Sequence, residues 1–544
     1  MAIETVDHQA SGVLPINRLP LILLGLLAAL AVLMLVPGHL AATNHVIDIM
    51  HATSIVFRMV EGQQQHIDFM TPLGIMTTAP IAWLVQAGLD ISRAYLAAGV
   101  LVTLALMPAT LRVATSRLSP GLGLAFGIGM VILTTSLVYG GDNPGISISM
   151  FYNRWAWAAA SIIILLLVLP PNTGTERPAI DSAIIGLLLG YLVLLKLTYF
   201  VALAPVVAVG FAMRRDWSNL LYVGLAGLAV ALLATVAFGG IAFWTAYAND
   251  ILMVTASENR AYPGLEFHGV ISAPSMLPAT FCALLLVVVL RMSGADQAGL
   301  LMLLLLPAFA YITFQNWGND PKWLFLIGVI ALATKPLVAG QRVMRTEAPF
   351  MLTLIATAAL TFIAPSAINL VVSPFRNLVA SSDAYVEILS DPAHAGLLTT
   401  RTSAFGGKML VEIPGTRDPL KEDAKPNEIS FGGVEIADCS QQSGYVSIVQ
   451  EIARDLTANG YAGQSLYFAD IYDPLPLVGD FPFTPGRAPW HYGGAVPIDG
   501  TTALVVPKCG GSGPSVRSTL EDLQDDGPWT LVADRQHHWI FKRR

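Results

Sequence analysis

The chain has 544 residues, of which 54% are hydrophobic and only 12% charged, with a net charge of -7. A soluble globular protein carries about twice that charged fraction, so the composition excludes a soluble enzyme and predicts a polytopic α-helical membrane protein. The acidic balance also gives no footing for nucleic acid.

In chain order, a polar tail carrying Arg18 precedes the first apolar run, residues 19–36. No small-residue cleavage site follows, so this run reads as a retained signal anchor. Residues 43–74 are too polar to cross a bilayer. On a helix, Val46, Ile49, Met50, Thr53, Val56, Phe57 and Val60 share an arc of roughly 120°. Asp48, His51 and Arg58 take the opposite side, with Glu61 at the border. That pattern predicts a helix lying in the membrane interface, apolar face down and ionisable groups facing water. Thr43 or Asn44 can cap it and Gly62 can end it. His66-Ile67-Asp68-Phe69 follows, then a break at Pro72 and Gly74.

Further apolar runs lie near 72–89, 93–111, 121–139, 155–170, 182–196, 199–213, 219–239, 275–290, 297–314, 323–339 and 348–367. Placing Arg112, Arg117, Arg177, Arg214, Arg215, Arg291, Arg342 and Arg345 in the cytoplasm works if 72–89 is re-entrant or flat. This leaves about eleven crossings, with the C-terminus outside. The alternative makes 72–89 a true span and merges 182–213 into one tilted helix. It puts Arg112, Arg117 and Arg177 on the wrong side, so the first layout is adopted. The polar loops then gather on the outer face: 37–74, 140–154, the point around Lys196, 241–273, 315–322 and everything after 369. A transporter needs polar residues along a path through the bilayer, and the apolar runs show almost none.

From about residue 370 the composition changes. The expected domains are therefore 1–369 in the membrane and 370–544 outside it as an α/β unit. In the second, 465–471 and 502–507 read as strands, 445–459 as an amphipathic helix, and 529–533 with 538–542 as a hairpin. Cys282 sits in an apolar run and reads as a core residue. Cys439 and Cys509 are an even pair in the polar region, which suggests a disulfide and an oxidising compartment; two buried free thiols are the other reading.

Asp48 and Asp68 are the candidate bases, and Lys196 and Arg154 the candidate anion-binding cations. A lysine in an apolar stretch is costly unless it meets an anion or snorkels, and a guanidinium suits phosphate geometry. His51, His66, Asn153, Arg260, His268, Asn316, Asp320 and Lys322 are further candidates for substrate contact. Each has a plainer role. Asp48 can be a solvated helix residue, and Asp68 with His66 can brace the turn before Pro72. Lys196 can simply snorkel, and Arg154 with Trp155 and Trp157 can anchor an aromatic belt. The residues of 260–268 can be surface charge, and those of 316–322 a turn. No cluster has metal-ligand spacing; a divalent ion stays open, with Asp142 or Asp320 available to it.

The arrangement resembles the first outer loop of the C-type polyprenyl-phosphate-sugar-dependent glycosyltransferases. That superfamily includes protein mannosyltransferases and the aminoarabinose and sugar transferases of bacterial lipopolysaccharide. The similarity rests on an acid, Asp48, a helix of about a dozen residues, Gly62, then Asp68-Phe69 and Pro72-x-Gly74. Lys196 in a Gly/Leu-rich run and a soluble C-terminal domain are also similar. The second acid usual beside the first is missing, since Ile49 follows Asp48. The resemblance implies a cell-envelope enzyme of the bacterial inner membrane, with its C-terminal domain in the periplasm. It would move a sugar from a polyprenyl-phosphate donor to a glycan, lipid or protein acceptor. An aspartate would take the acceptor's proton, and cations would hold the leaving phosphate. A non-catalytic polysaccharide assembly or export subunit with a glycan-binding outer domain is the competing expectation.

Overall fold

The structure is a computed structural model that describes residues 18–256, 267–271, 273, 275–315, 320–411, 427–487, 490 and 500–543. Its first fifteen α-helices are α1 Leu19–Leu35, α2 Val46–Val60, α3 Ala79–Gln86, α4 Ile91–Ser116, α5 Pro120–Thr135, α6 Phe151–Val168, α7 Pro178–Leu195, α8 Leu197–Met213, α9 Trp217–Ala237, α10 Ile241–Ala256, α11 Phe267–Ile271, α12 Met276–Met292, α13 Asp296–Phe314, α14 Trp323–Ala333 and α15 Ala348–Leu378. Six of them (α4, α6, α7, α9, α13 and α15) are long and apolar enough to cross a membrane, and α1, α5, α8, α12 and α14 are shorter apolar helices. Helix α6 is buried along nearly its whole length, whereas few residues of α9 are buried, as expected of an inner and a lipid-facing helix.

The 72–89 run does not form a span. Its only α-helix, α3, has eight residues, about 12 Å of rise against the ~30 Å of hydrocarbon. The segment before it is wedged onto the end of α7. Thr77 Oγ1 donates to the Leu195 carbonyl at 3.0 Å, and a side chain at Gly74 would collide with the Leu194 carbonyl. Glycine is required there because backbone meets backbone. The merged 182–213 helix does not form either. Lys196, extended at φ -153° and ψ 96°, separates α7 from α8.

The helix ends sort into two sets. At one, Arg112 and Arg117 both bind Asp181 at 2.6 Å, joining the C-terminal end of α4 to the first turn of α7, and Arg214 donates to the Leu167 carbonyl at the end of α6. At the other lie the polar loops. Helix α15 is fixed there by one stripe of buried residues at helical spacing. Asn369 donates to the Gly141 and Asn143 carbonyls at 3.1 and 2.7 Å. Ser373 accepts from the Leu137 amide at 2.9 Å, and Asn377 exchanges hydrogen bonds with His39 and Ala41.

Helix α15 runs on to Leu378, so the boundary expected at 369/370 falls inside a continuous helix, and the strands begin beyond it. The C-terminal region has a four-stranded sheet in the order Leu466–Phe468, Ala503–Pro507, His538–Arg543, Trp529–Asp534. Its last two strands are the expected hairpin, and the expected helix is Tyr445–Ala458. Cys439 and Cys509 form a disulfide, and Cys282 is buried and free. The two regions share a sheet, since Leu40–Ala42 pairs in parallel with Leu397–Thr400.

One expectation is overturned. Most of the polar face of α2 does not meet water, because the C-terminal region covers His51 and Arg58; Asp48 stays half-buried and Glu61 exposed. Arg58 is fully buried and His51 nearly so. Arg58 donates to the Thr484 carbonyl at 2.9 Å and to Gln63 at 3.1 Å, with Phe69 and Phe483 flanking its guanidinium. Nor do Thr43 and Asn44 cap α2. The residue before it is His45, in the left-handed conformation at φ 58°.

Candidate functional site

The 136–152 segment is where the polar loops meet. Arg154 sets its start: the guanidinium is buried and donates to the Ser136 carbonyl at 2.7 Å and to the Val138 carbonyl. That assignment commits Arg154 to the protein's own backbone. The chain then turns through Gly140, which packs directly on the Lys322–Asp320 ion pair. Burial opposes the charge on Asp320, but Lys322 and local hydrogen bonds outweigh it and hold the carboxyl below its ordinary pKa. Asp320 and Lys322 therefore neutralise one another.

Residues 143–149 then run alongside the start of α2. Thr43 N donates to the Ile146 carbonyl at 2.8 Å and Asn44 Nδ2 to Asn143 Oδ1 at 3.0 Å. His45 Nδ1 lies 3.1 Å from Ser147 Oγ, and Ser149 Oγ donates to Asp48 Oδ2 at 2.7 Å. Asp48 is half-buried, and its second oxygen has no hydrogen-bond partner among the described residues. Burial lowers the pKa of His45, and the neighbouring Asp48 opposes this. Three residues after Ser149, Tyr152 presents its ring to Lys196 Nζ, 5.1 Å from the centroid. Asp48 and Lys196 thus bear on one short stretch at the start of α6, one through Ser149 and the other through Tyr152.

The second cluster behaves differently. Asp68 accepts from the Gln64 amide at 2.6 Å, a bond within its own turn, and its carbonyl accepts from Gly486 N at 2.7 Å. His66 is buried, with Nδ1 2.7 Å from Asp250 Oδ2 and its ring against Tyr247. Gln65 Nε2 donates to the Leu73 carbonyl at 2.6 Å and Gln65 Oε1 accepts from Thr78, which fixes its amide. The remaining Gln65 N–H points at His66 Nε2, 3.3 Å away, so Nε2 accepts and Nδ1–H donates to Asp250. Both nitrogens of a neutral imidazole are then used, and His66 braces the turn. Asp250 also accepts from the Thr71 amide at 3.0 Å.

Of the other candidates, His51 packs its ring at a tilt against Trp490, with centroids 4.8 Å apart. Asn153 is buried, with an amide that has no hydrogen-bond partner among the described residues. His268 is exposed on α11. Arg260 and Asn316 lie outside the described residues. Among the described residues no three His, Cys, Asp or Glu side chains converge.

Sequence reasoning missed His45, Ser147, Ser149, Tyr152 and Asp250. The serines carried a weak signal, as alternate residues of Ser147-Ile148-Ser149 in a loop already singled out. Asp250 carried a better one, an acid in line with Phe243 and Tyr247 on an otherwise apolar helix. No family model, no curated protein and no solved structure matches this chain.

Proposed function

We propose that this protein is an integral membrane glycosyltransferase that moves a sugar from a polyprenyl-phosphate donor to a glycan, lipid or protein hydroxyl. The observation that carries the reading is the pairing just described: an accessible carboxylate and a cation at a helix break, both against residues 149–152. Asp48 is the general base. Ser149 orients one carboxylate oxygen, leaving the other to take the acceptor's proton as the bond to the sugar forms. The departing phosphate is already anionic and needs a cation rather than an acid. Lys196, with its stem in apolar surroundings and its ammonium beside Tyr152, fits that role.

The topology in this reading puts the arginine-rich helix ends in the cytoplasm, with about eleven crossings. The C-terminal domain then lies in the periplasm, where the Cys439–Cys509 disulfide suits an oxidising compartment.

Asp48→Asn tests the assignment cleanly, because the amide oxygen still accepts from Ser149 while the base is lost. With the purified chain in proteoliposomes and labelled polyprenyl-phosphate sugars, transfer falls about 10²- to 10⁴-fold, and Asp68→Asn stays near the wild-type rate. Full transfer by Asp48→Asn rejects the mechanism. A second reading, a non-catalytic assembly or export subunit, is favoured by one observation: Asp68, His66, Arg154, Asp320 and Lys322 are all engaged within the protein. It requires that Asp48→Asn be silent in cells.

A further inference from the structure

We propose that residues 401–411 of the outer region form a ledge that rests on the lipid surface, its apolar side chains in the interface and its cations on anionic headgroups. Phe405, Met409, Leu410 and Val411 are exposed to 56, 57, 49 and 45%. Four large apolar side chains within seven residues are more than scattered surface hydrophobes and mark a contact surface. Strand Met409–Val411 pairs through its backbone with Cys439–Gln441, yet all three of its side chains are exposed. The chemistry of its partner is set by what flanks it. Arg401 and Lys408 are exposed, the segment 401–411 itself holds no acid while Glu412 follows it in sequence, and the Arg401 guanidinium sits 5.6 Å from the Phe405 ring centre. Apolar side chains rimmed by cations match an anionic bilayer surface, each basic residue adding to the attraction.

Position argues for the same partner. Helix Arg401–Phe405 directly follows strand Leu397–Thr400, which pairs in parallel with Leu40–Ala42, five residues beyond the end of α1. Ser403 Oγ donates to the Thr43 carbonyl at 3.2 Å. The ledge is thus tied to the point where the chain leaves its first apolar helix, next to the start of α2. The inference does not depend on the transferase reading. It requires only that the apolar helices lie in a bilayer.

The test uses the full chain in nanodiscs. On a Cys282→Ala background, Leu410→Cys and Phe405→Cys are each labelled with a bimane fluorophore, and exposed Glu435→Cys serves as the control. In discs of brominated phosphatidylglycerol, the labels at 405 and 410 lose fluorescence relative to unbrominated discs, and the label at 435 does not. Charge reversal by Arg401→Glu with Lys408→Glu, or replacement of the lipid by brominated phosphatidylcholine, reduces that loss. Labels at 405 and 410 that behave like the one at 435 overturn the proposal. So does protection from aqueous iodide without quenching by brominated lipid, which assigns the ledge to a protein partner or a second copy. Quenching that charge reversal leaves unchanged refutes the headgroup contact.

Discussion

Replacing Arg58 with methionine keeps much of the side chain's length and removes the charge from a place that water does not reach. The guanidinium is fully buried, burial pulls its pKa down to about 10, and Asp473 pushes the other way. Asp473 is itself buried, which raises its pKa, while Arg487 and Arg58 counter the rise. The substitution strands the Thr484 carbonyl and leaves Asp473 with one cation fewer. Breaking a buried charge cluster by removing one member costs about 3–5 kcal/mol. At the lower figure, the hydrogen-exchange protection of the α2 and 483–487 amides falls roughly a hundredfold, read by mass spectrometry on the intact chain in nanodiscs. The pH dependence has a definite sign. Asp473 has a folded pKa above its unfolded value of 3.8, and losing Arg58 raises it further. The folded state of the variant then binds more protons than the unfolded state, so its stability declines as pH rises through the new folded pKa. The deficit relative to wild type is therefore larger at pH 8 than at pH 5. A loss of protection below about tenfold, or one equal at both pH values, refutes the account of Arg58 as the cation that seals the C-terminal region onto α2.

Asp250→Ala leaves two buried donors, His66 Nδ1–H and Thr71 N–H, without an acceptor; at 1–3 kcal/mol each the loss is about 2–6 kcal/mol, seen as a lower melting temperature and faster exchange over 65–73. His538 has a pKa lowered by burial to about 4 from 6.5. The unfolded state takes up its proton first as pH falls, so the C-terminal region loses about 3 kcal/mol of stability between pH 6.5 and 4. Denaturant melts across that range check this, and His538→Asn flattens the profile. Lys196→Met removes the proposed phosphate partner without emptying the space; transfer drops at least about tenfold while the melting temperature holds, and unchanged turnover assigns Lys196 to snorkelling alone.

Much of this architecture is legible in the sequence because the bilayer imposes a length and a composition on each element it contains. The apolar runs become six long and five shorter apolar helices, and the alternation in 529–542 becomes a hairpin. What the pattern of α2 conveyed was narrower than it looked. An amphipathic period reports that two faces differ in polarity, not what covers the polar one. Arg58 finds its acceptor at Thr484, 426 positions along the chain, a distance at which local periodicity carries no information. The same limit governs His66 and Asp68, whose composition reads equally as a catalytic pair or a braced turn. Only the fixed amide of Gln65 and the unforeseen Asp250 decide between them.

The accounting of hydrogen bonds then narrows the site further than residue type does. A carboxylate or cation that already serves a backbone carbonyl, an amide or an opposite charge must break that contact before it acts on a substrate, at a cost of about 1–3 kcal/mol in a buried setting. Arg154, His66 and the Asp320–Lys322 pair all carry that cost. Asp48 does not, because Ser149 engages one oxygen and leaves the other. The 140–149 loop is held in part by Asn369, which binds two of its carbonyls, and by Gly145, which leaves room for the side chains of Thr43 and Asn44. The C-terminal end of α15 is therefore part of what positions Asp48. Asn369→Ala is a positioning change whose effect on transfer runs through Ser149. It lowers turnover while leaving the Asp48 carboxylate chemically intact, and a pH–rate profile with an unchanged acidic limb separates it from loss of the base itself.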